Sequence, residues 1–280
     1  MNINDIRIVA DSSADMSELS GVSFKTAPLK IITSECEYVD DEELDVADMV
    51  EHLSRHKGKS STSCPNESDW LDTFGDATYV FCVTITGTLS GSYNAAMMAK
   101  ASYEEQHPDR KVFVLDSLTA GPEIGLIIEK IQELVLSGAD FDEVCAKVAE
   151  YSKKTGTIFM LASMKNLANN GRVNPLVAKM AGILGIRVVG KASVNGELEP
   201  IGKHRGETRA LHAIVQHIKE AGLKKGRVKI SHCLNFEAAV VLKEQILAKI
   251  EQAKIEISEC RGLCGFYAEK GGLIVGFENI

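Results

Sequence analysis

Positive charge is in short supply in this chain of 280 residues: 31 Lys and Arg stand against 39 Asp and Glu, a formal net charge of -8. That balance excludes a global nucleic-acid binder, because phosphate backbones attract basic surfaces. No uninterrupted apolar run approaches membrane-spanning length, so no stable membrane insertion is expected. The opening Met1-Asn2-Ile3-Asn4-Asp5-Ile6-Arg7 lacks the long apolar core and cleavage site of a signal peptide, and a cytoplasmic location is expected. Neither a P-loop nor a G-x-S-x-G elbow is present, so nucleotide and serine-hydrolase chemistry lose their usual signatures. The 7 cysteines, at 36, 64, 82, 145, 233, 260 and 264, are odd in number and scattered, which fits reduced thiols better than a disulfide framework. Cys260 and Cys264 have no second Cys/His pair nearby, so no metal site is assigned to them. The 7 histidines offer no base for a nucleophilic serine, and no catalytic residue is assigned.

What is present is a regular alternation. A hydrophobic content of 45% supports a sizeable core. Ile6–Ala10, Tyr79–Val83 and Lys111–Leu115 read as short buried strands, the first stopping at the turn Asp11-Ser12-Ser13 and the other two running through a loop into a helical pattern. Val22–Ile32 reads as a further β-rich run, Tyr93–Glu105 and Glu123–Leu136 as helices, and Asp140 with Glu143 as a capping box. This predicts a parallel sheet with helices on both faces, an α/β/α unit over residues 1–156. The pattern then changes. Residues 157–280 read as a smaller α+β domain with a mixed sheet. Its elements include a strand at Thr157–Ala162, an apolar helix over Val173–Leu184 and a hairpin turned at Asn195-Gly196. Ligands of such folds collect beyond the carboxyl ends of the parallel strands and in clefts between domains. The loops at Asp11, Thr86–Ser90 and Asp116 are expected at that edge.

Two hydroxyl-rich segments, Ser60-Ser61-Thr62-Ser63-Cys64-Pro65 and Thr84-Ile85-Thr86-Gly87-Thr88-Leu89-Ser90-Gly91-Ser92-Tyr93, each end where a helix is expected. Pro65 is placed as a first-turn proline. A helix start offers unpaired N–H groups and partial positive charge, and neighbouring hydroxyls add further donors. Each hydroxyl alone is accounted for as a cap or loop contact. Together they point to a site for a carboxylate or phosphate, with Thr62, Ser63, Ser90, Gly91 and Ser92 as ligand-binding candidates. Gly91 would let backbone approach the ligand. Arg261, in the glycine-bracketed turn Arg261-Gly262-Leu263-Cys264-Gly265, is the candidate cation facing the bound anion. Residues 165–209 carry 8 basic against 3 acidic residues, either a solvated face or a dock for an acidic partner. Arg172, Lys203 and Arg205 are its candidate partner-binding residues.

Several of these motifs occur in the order found in a known family. Asp11-Ser12-Ser13-Ala14-Asp15, Thr62-Ser63-Cys64-Pro65, Ser90-Gly91-Ser92-Tyr93 with Ala95-Ala96, Asp116-Ser117, Asn170-Gly171-Arg172 and Lys203-His204-Arg205 follow one another. On these the chain resembles the DegV family of bacterial fatty-acid-binding proteins, from Asp11 to Gly276. The resemblance implies two α/β domains and a buried long-chain fatty acid as ligand, with no cofactor. It also implies a carboxylate held by hydroxyls at Thr62 and Ser90. It places Arg172 on a surface that meets a fatty acid kinase, which phosphorylates the bound lipid. The chain departs from the family pattern where Cys64 replaces a Gln, Ser92 replaces a Thr, and Arg261 replaces the His of a late His-x-Gly-Pro-Gly motif.

Three functions follow for testing. The first is a fatty-acid carrier. The second is a metal-dependent enzyme acting on a small phosphorylated or keto substrate, with Asp11 and Asp116 as metal ligands. The third is an interaction protein whose basic surface docks an acidic partner.

Overall fold

The computed structural model describes residues 1–176 and 185–279. Residues 177–184 of the expected Val173–Leu184 helix lie outside them. A four-stranded, all-parallel sheet is built from β1 (Ile6–Asp11), β2 (Ser23–Ala27), β6 (Tyr79–Thr84) and β7 (Lys111–Asp116), in the order β2-β1-β6-β7. Alternation along these strands sends side chains to two cores. Val9, Val80, Cys82 and Val112 meet α2 (Glu67–Phe74) and α3 (Ser92–Gln106), through Trp70, Phe74, Ala96 and Ala99. Ile8, Ala10, Phe81 and Val83 meet α4 (Pro122–Leu136) and α5 (Phe141–Tyr151). The α/β/α layering therefore follows from the strand pattern.

The run Val22–Ile32 is not one strand. It breaks at Pro28-Leu29, and Lys30–Ile32 leaves as β3 of a small antiparallel sheet with β4 (Glu37–Val39) and β5 (Ser61–Ser63). The first hydroxyl segment is thus a strand, with Thr62 opposite Ile31. Pro65 precedes the helix rather than opening it. Asn66 is the cap of α2, in a reciprocal box with Asp69. The box expected at Asp140 is one-sided: Asp140 accepts from the Glu143 N–H, while the Glu143 carboxylate turns to Lys147.

The second sheet is six-stranded and mixed, in the order β10-β9-β8-β13-β11-β12. Its members are β8 (Thr155–Leu161), β9 (Ile186–Ala192), β10 (Leu198–Arg205), β11 (Gly226–His232), β12 (Ala253–Glu259) and β13 (Leu273–Glu278). The expected hairpin joins β9 to β10, with Ala192 opposite Leu198. One face is covered by α7 (Glu207–Glu220) and α8 (Phe236–Leu247). On the other face Phe159, Leu161 and Val188 pack with α1 (Val46–Arg55), α6 (Lys165–Asn169) and α9 (Gly262–Ala268).

Helix α4 joins the two sheets. Its first half, Pro122–Ile128, is buried throughout, as a helix segment with partners on both sides must be, and Glu129, Lys130, Gln132 and Glu133 emerge only in its second half. Its first turn lies so close to β13 that a Cβ on Gly276 would come 2.5 Å from the Glu123 backbone nitrogen. Only glycine fits between strand and helix there.

Candidate functional site

A cavity of about 290 Å³ lies beyond the carboxyl ends of β6 and β7 and against the face of the second sheet. The loop after β6 contributes Ile85, Thr86, Leu89, Ser90 and Gly91, and the loop after β7 contributes Thr119 and Ala120. Alternation on β8 turns Thr157, Phe159 and Leu161 into it, and Ile274 follows from β13. Helix α9 supplies Leu263, Cys264, Tyr267 and Ala268. Strand β5 and the residue after it supply Thr62, Ser63 and Cys64. The walls are predominantly aliphatic, and the hydroxyls are carried by a few positions.

The rim is built by specific contacts. Thr62 Oγ1 and Tyr267 Oη lie 2.8 Å apart, joining β5 to α9. Burial holds the Tyr267 phenol above its usual range, so it remains a neutral donor. Ser90 Oγ accepts from the Ser92 N–H at 3.2 Å and keeps its own proton to donate. Gly91 caps α3 with no side chain, and a Cβ there would approach Cys64 Sγ to 3.1 Å. The Asp116 carboxylate shapes the loop by accepting from the N–H groups of Gly87 and Leu118. Thr119 donates to Thr157 at 2.9 Å, so these two hydroxyls largely satisfy one another.

The hairpin of the second sheet closes one side. Thr88 Oγ1 donates to the Asn195 carbonyl at 2.8 Å. Gly196, at φ +77°, sits where a Cβ would be 2.0 Å from Thr86 Oγ1. Gly196, Ala192 and Leu198 all line the cavity.

Of the candidates read from sequence, Thr62, Ser63, Ser90 and Gly91 are brought together on this cavity. Ser92 is not. Its hydroxyl is fully buried and donates to Asp11 at 2.6 Å. Arg261 is not either. Its guanidinium donates to the Asp41 carbonyl and stands 3.8 Å from the buried Asp40 carboxylate, while its N–H donates to Asp15. The cation on the cavity wall is instead Arg172, expected on a partner surface. It is half-buried, and its Nε donates to the Leu89 carbonyl at 2.7 Å. Lys203 and Arg205 are exposed, two residues apart on β10, the edge strand of the second sheet. Tyr267, Thr119 and Thr157 escaped the sequence reading, since no local motif marks them.

Asp11 and Asp116 do not form a metal site. Asp11 accepts from the Ser13 N–H and hydroxyl, the Ile85 N–H and the Ser92 hydroxyl, a set that organises the loops. Burial pushes its pKa up, which works against the ionised form a metal ligand needs. Asp40 spends both oxygens on the first N–H groups of α9, those of Gly262 and Leu263, at 2.7 and 2.8 Å. No helix among the described residues is long and apolar enough to cross a membrane.

Comparison with known proteins agrees with this architecture along nearly the full chain. The family described as "Uncharacterised protein, DegV family" matches residues 5–279. A DegV domain-containing protein of Streptococcus pneumoniae is 41% identical over 276 residues, covering 97% of this chain and 98% of the relative. The crystal structure of a DegV family protein from Eubacterium eligens, loaded with heptadecanoic acid, superposes with a TM-score of 0.96 at 41% identity. It covers 98% of this chain and 100% of that one. The Streptococcus pneumoniae Fatty Acid Kinase (Fak) B3 protein, loaded with linoleic acid, superposes with a TM-score of 0.96 at 40% identity. It covers 98% of this chain and 99% of that one. With a family match over residues 5–279 and relatives of this identity matched end to end, the chain belongs to the DegV family.

Proposed function

We propose that this chain binds one long-chain fatty acid in the cavity and presents it to a fatty acid kinase. The observation that carries the reading is an aliphatic cavity with hydroxyls at its rim, in a chain 41% identical to a protein loaded with heptadecanoic acid. A tail of about 14 methylenes, at about 0.8 kcal/mol each, releases on the order of 11 kcal/mol on leaving water. Association and ordering costs remove much of that. The tail therefore supplies affinity, and the rim sets its register. Ser63 and Ser90, with the Thr62–Tyr267 pair, hold the carboxylate, and the open end of α3 at Gly91 adds backbone donors and partial positive charge. Arg172, on the wall, supplies the full positive charge.

Residues 1–156 supply the head-group loops in this reading, and 157–280 close the cavity with the β9–β10 hairpin and α9. Lys203 and Arg205 present cations outward, suited to an acidic face on the kinase. The name of the Streptococcus pneumoniae relative supports a kinase as partner. The chain acts as binder and presenter, not as catalyst, and works in the cytoplasm.

The test is denaturing extraction of the purified protein followed by mass spectrometry. A long-chain fatty acid at about one equivalent is expected. Folded protein that neither carries nor takes up a fatty acid overturns the proposal.

A further inference from the structure

A second cluster of ligand-type side chains lies apart from the lipid cavity, between the β3–β4 turn and α1. Glu35 comes from the turn, His52 from the last turn of α1, and His56 is the extended residue that caps the end of that helix. Their donor atoms all lie within 4.8 Å of one another. Each oxygen of Glu35 faces a different ring: Oε2 is 3.6 Å from His52 Nε2 and Oε1 is 3.7 Å from His56 Nδ1. These separations are long for hydrogen bonds. They are close to the roughly 3.4 Å between donors around a tetrahedral ion with bonds of about 2.1 Å.

The orientation of the two rings points to a ligand. The His56 side chain is only 5% exposed, with its Nδ1 aimed at Glu35 and its Nε2 lying against Gly58. On the other ring, Tyr38 Oη bonds His52 Nδ1. With the proton on Nδ1 and donated to the phenol oxygen, His52 Nε2 turns its lone pair toward Glu35. That is how outer partners orient metal-ligating histidines.

We propose that Glu35, His52 Nε2 and His56 Nδ1 bind one divalent ion of the zinc class, with Tyr38 as the positioning residue for His52. Two imidazoles and a carboxylate suit such ions, and a fourth position remains for water. The ion ties the Thr33–Cys36 turn to α1. Helix α1 packs Val46 and Val50 against Gly265 of α9, whose Tyr267 reaches the lipid cavity. The site thus braces the cavity from outside, and its existence does not depend on which lipid is bound.

The experiment titrates zinc into the full-length, chelator-treated protein against a chromophoric competitor, and follows thermal unfolding with and without zinc. Glu35 and His52 are accessible, so Glu35→Gln and His52→Ala preserve the fold. Wild type is expected to take up one equivalent and to unfold at a higher temperature with zinc. Each substitution weakens binding by about tenfold or more and removes the thermal shift. Tyr38→Phe weakens binding by about tenfold, through orientation alone. Zinc bound equally well by wild type and both ligand variants, or by none of them, overturns the proposal.

Discussion

Thr62 and Tyr267 share a hydrogen bond across 205 residues of chain, and each gives the other its place at the cavity rim. Replacing Thr62 with Val keeps the shape and removes the donor. Ser90→Ala does the same on the opposite loop. Each change is expected to weaken fatty-acid binding by roughly 1–3 kcal/mol, the range for a hydrogen bond to a charged group in a buried setting. Displacement of a fluorescent fatty acid measures it, and an unchanged affinity in both variants removes the hydroxyl rim from the account. Asp15 makes a different kind of prediction. One of its oxygens accepts from the Arg261 N–H, the other has no partner, and burial raises its pKa from 3.8 to about 7. The folded state therefore holds this proton over a window in which the unfolded chain has lost it. The contribution is unfavourable to folding and grows as pH rises from about 4 to about 7, then levels off. Burial raises Asp11 and Asp40 in the same direction. Asp15→Asn cancels its own share, so the variant should gain melting temperature over wild type at pH 8 and little at pH 4.5. A difference that is flat with pH counts against the assignment.

At the scale of elements, the β9–β10 hairpin and α9 form two sides of one enclosure. Helix α9 is short, and its stability leans on the Asp40 carboxylate at its first turn. Gly262 is required there, since a Cβ would come 2.7 Å from Asp40 Oδ1. The hairpin tip is held by the Thr88–Asn195 bond and by the fit of Gly196 over Thr86. Gly196→Val places a β-branched residue at positive φ and drives its Cβ into Thr86. Strain of about 1–3 kcal/mol is expected to fall on closure. Stopped-flow dissociation should show fatty acid leaving about tenfold faster or more, at 1.4 kcal/mol per tenfold. An unchanged rate means that lipid escapes elsewhere.

For the whole molecule, ligand and stability are linked. A fatty acid bound by the folded state alone stabilises it by about 2.7 kcal/mol at a concentration 100 times its Kd. Saturating fatty acid should therefore raise the unfolding temperature by several degrees. Ala120→Phe fills the cavity with protein in place of lipid. This variant should bind no fatty acid, yet unfold at or above the temperature of the lipid-free wild type. If it binds normally, the tail runs elsewhere.

The layered order of strands and helices was legible in the sequence because it is written in local periods: alternation within strands, helical spacing between them, and turns at their junctions. Thr62, Ser63, Ser90 and Gly91 were marked by their hydroxyl-rich segments and all four line the cavity, although Thr62 and Ser63 reach it from strand β5 and not from a loop ahead of a helix. The family was legible for a related reason, since short motifs keep their order along the chain. Ser92 and Arg261 show where local reading ends. A hydroxyl and a cation were visible, but the buried Asp11 and Asp40 carboxylates that engage them arrive from residues far away. Tyr267, Thr157 and the inward turn of Arg172 belong to the same class, as does the meeting of Glu35 with His52 and His56 at the end of α1. Sequence by itself determined which side chains could hydrogen-bond or ionise. Only the packing of the second sheet across the first decided which of them face the cavity, because a polar group's partner is set by three-dimensional proximity and by the cost of leaving it unpaired.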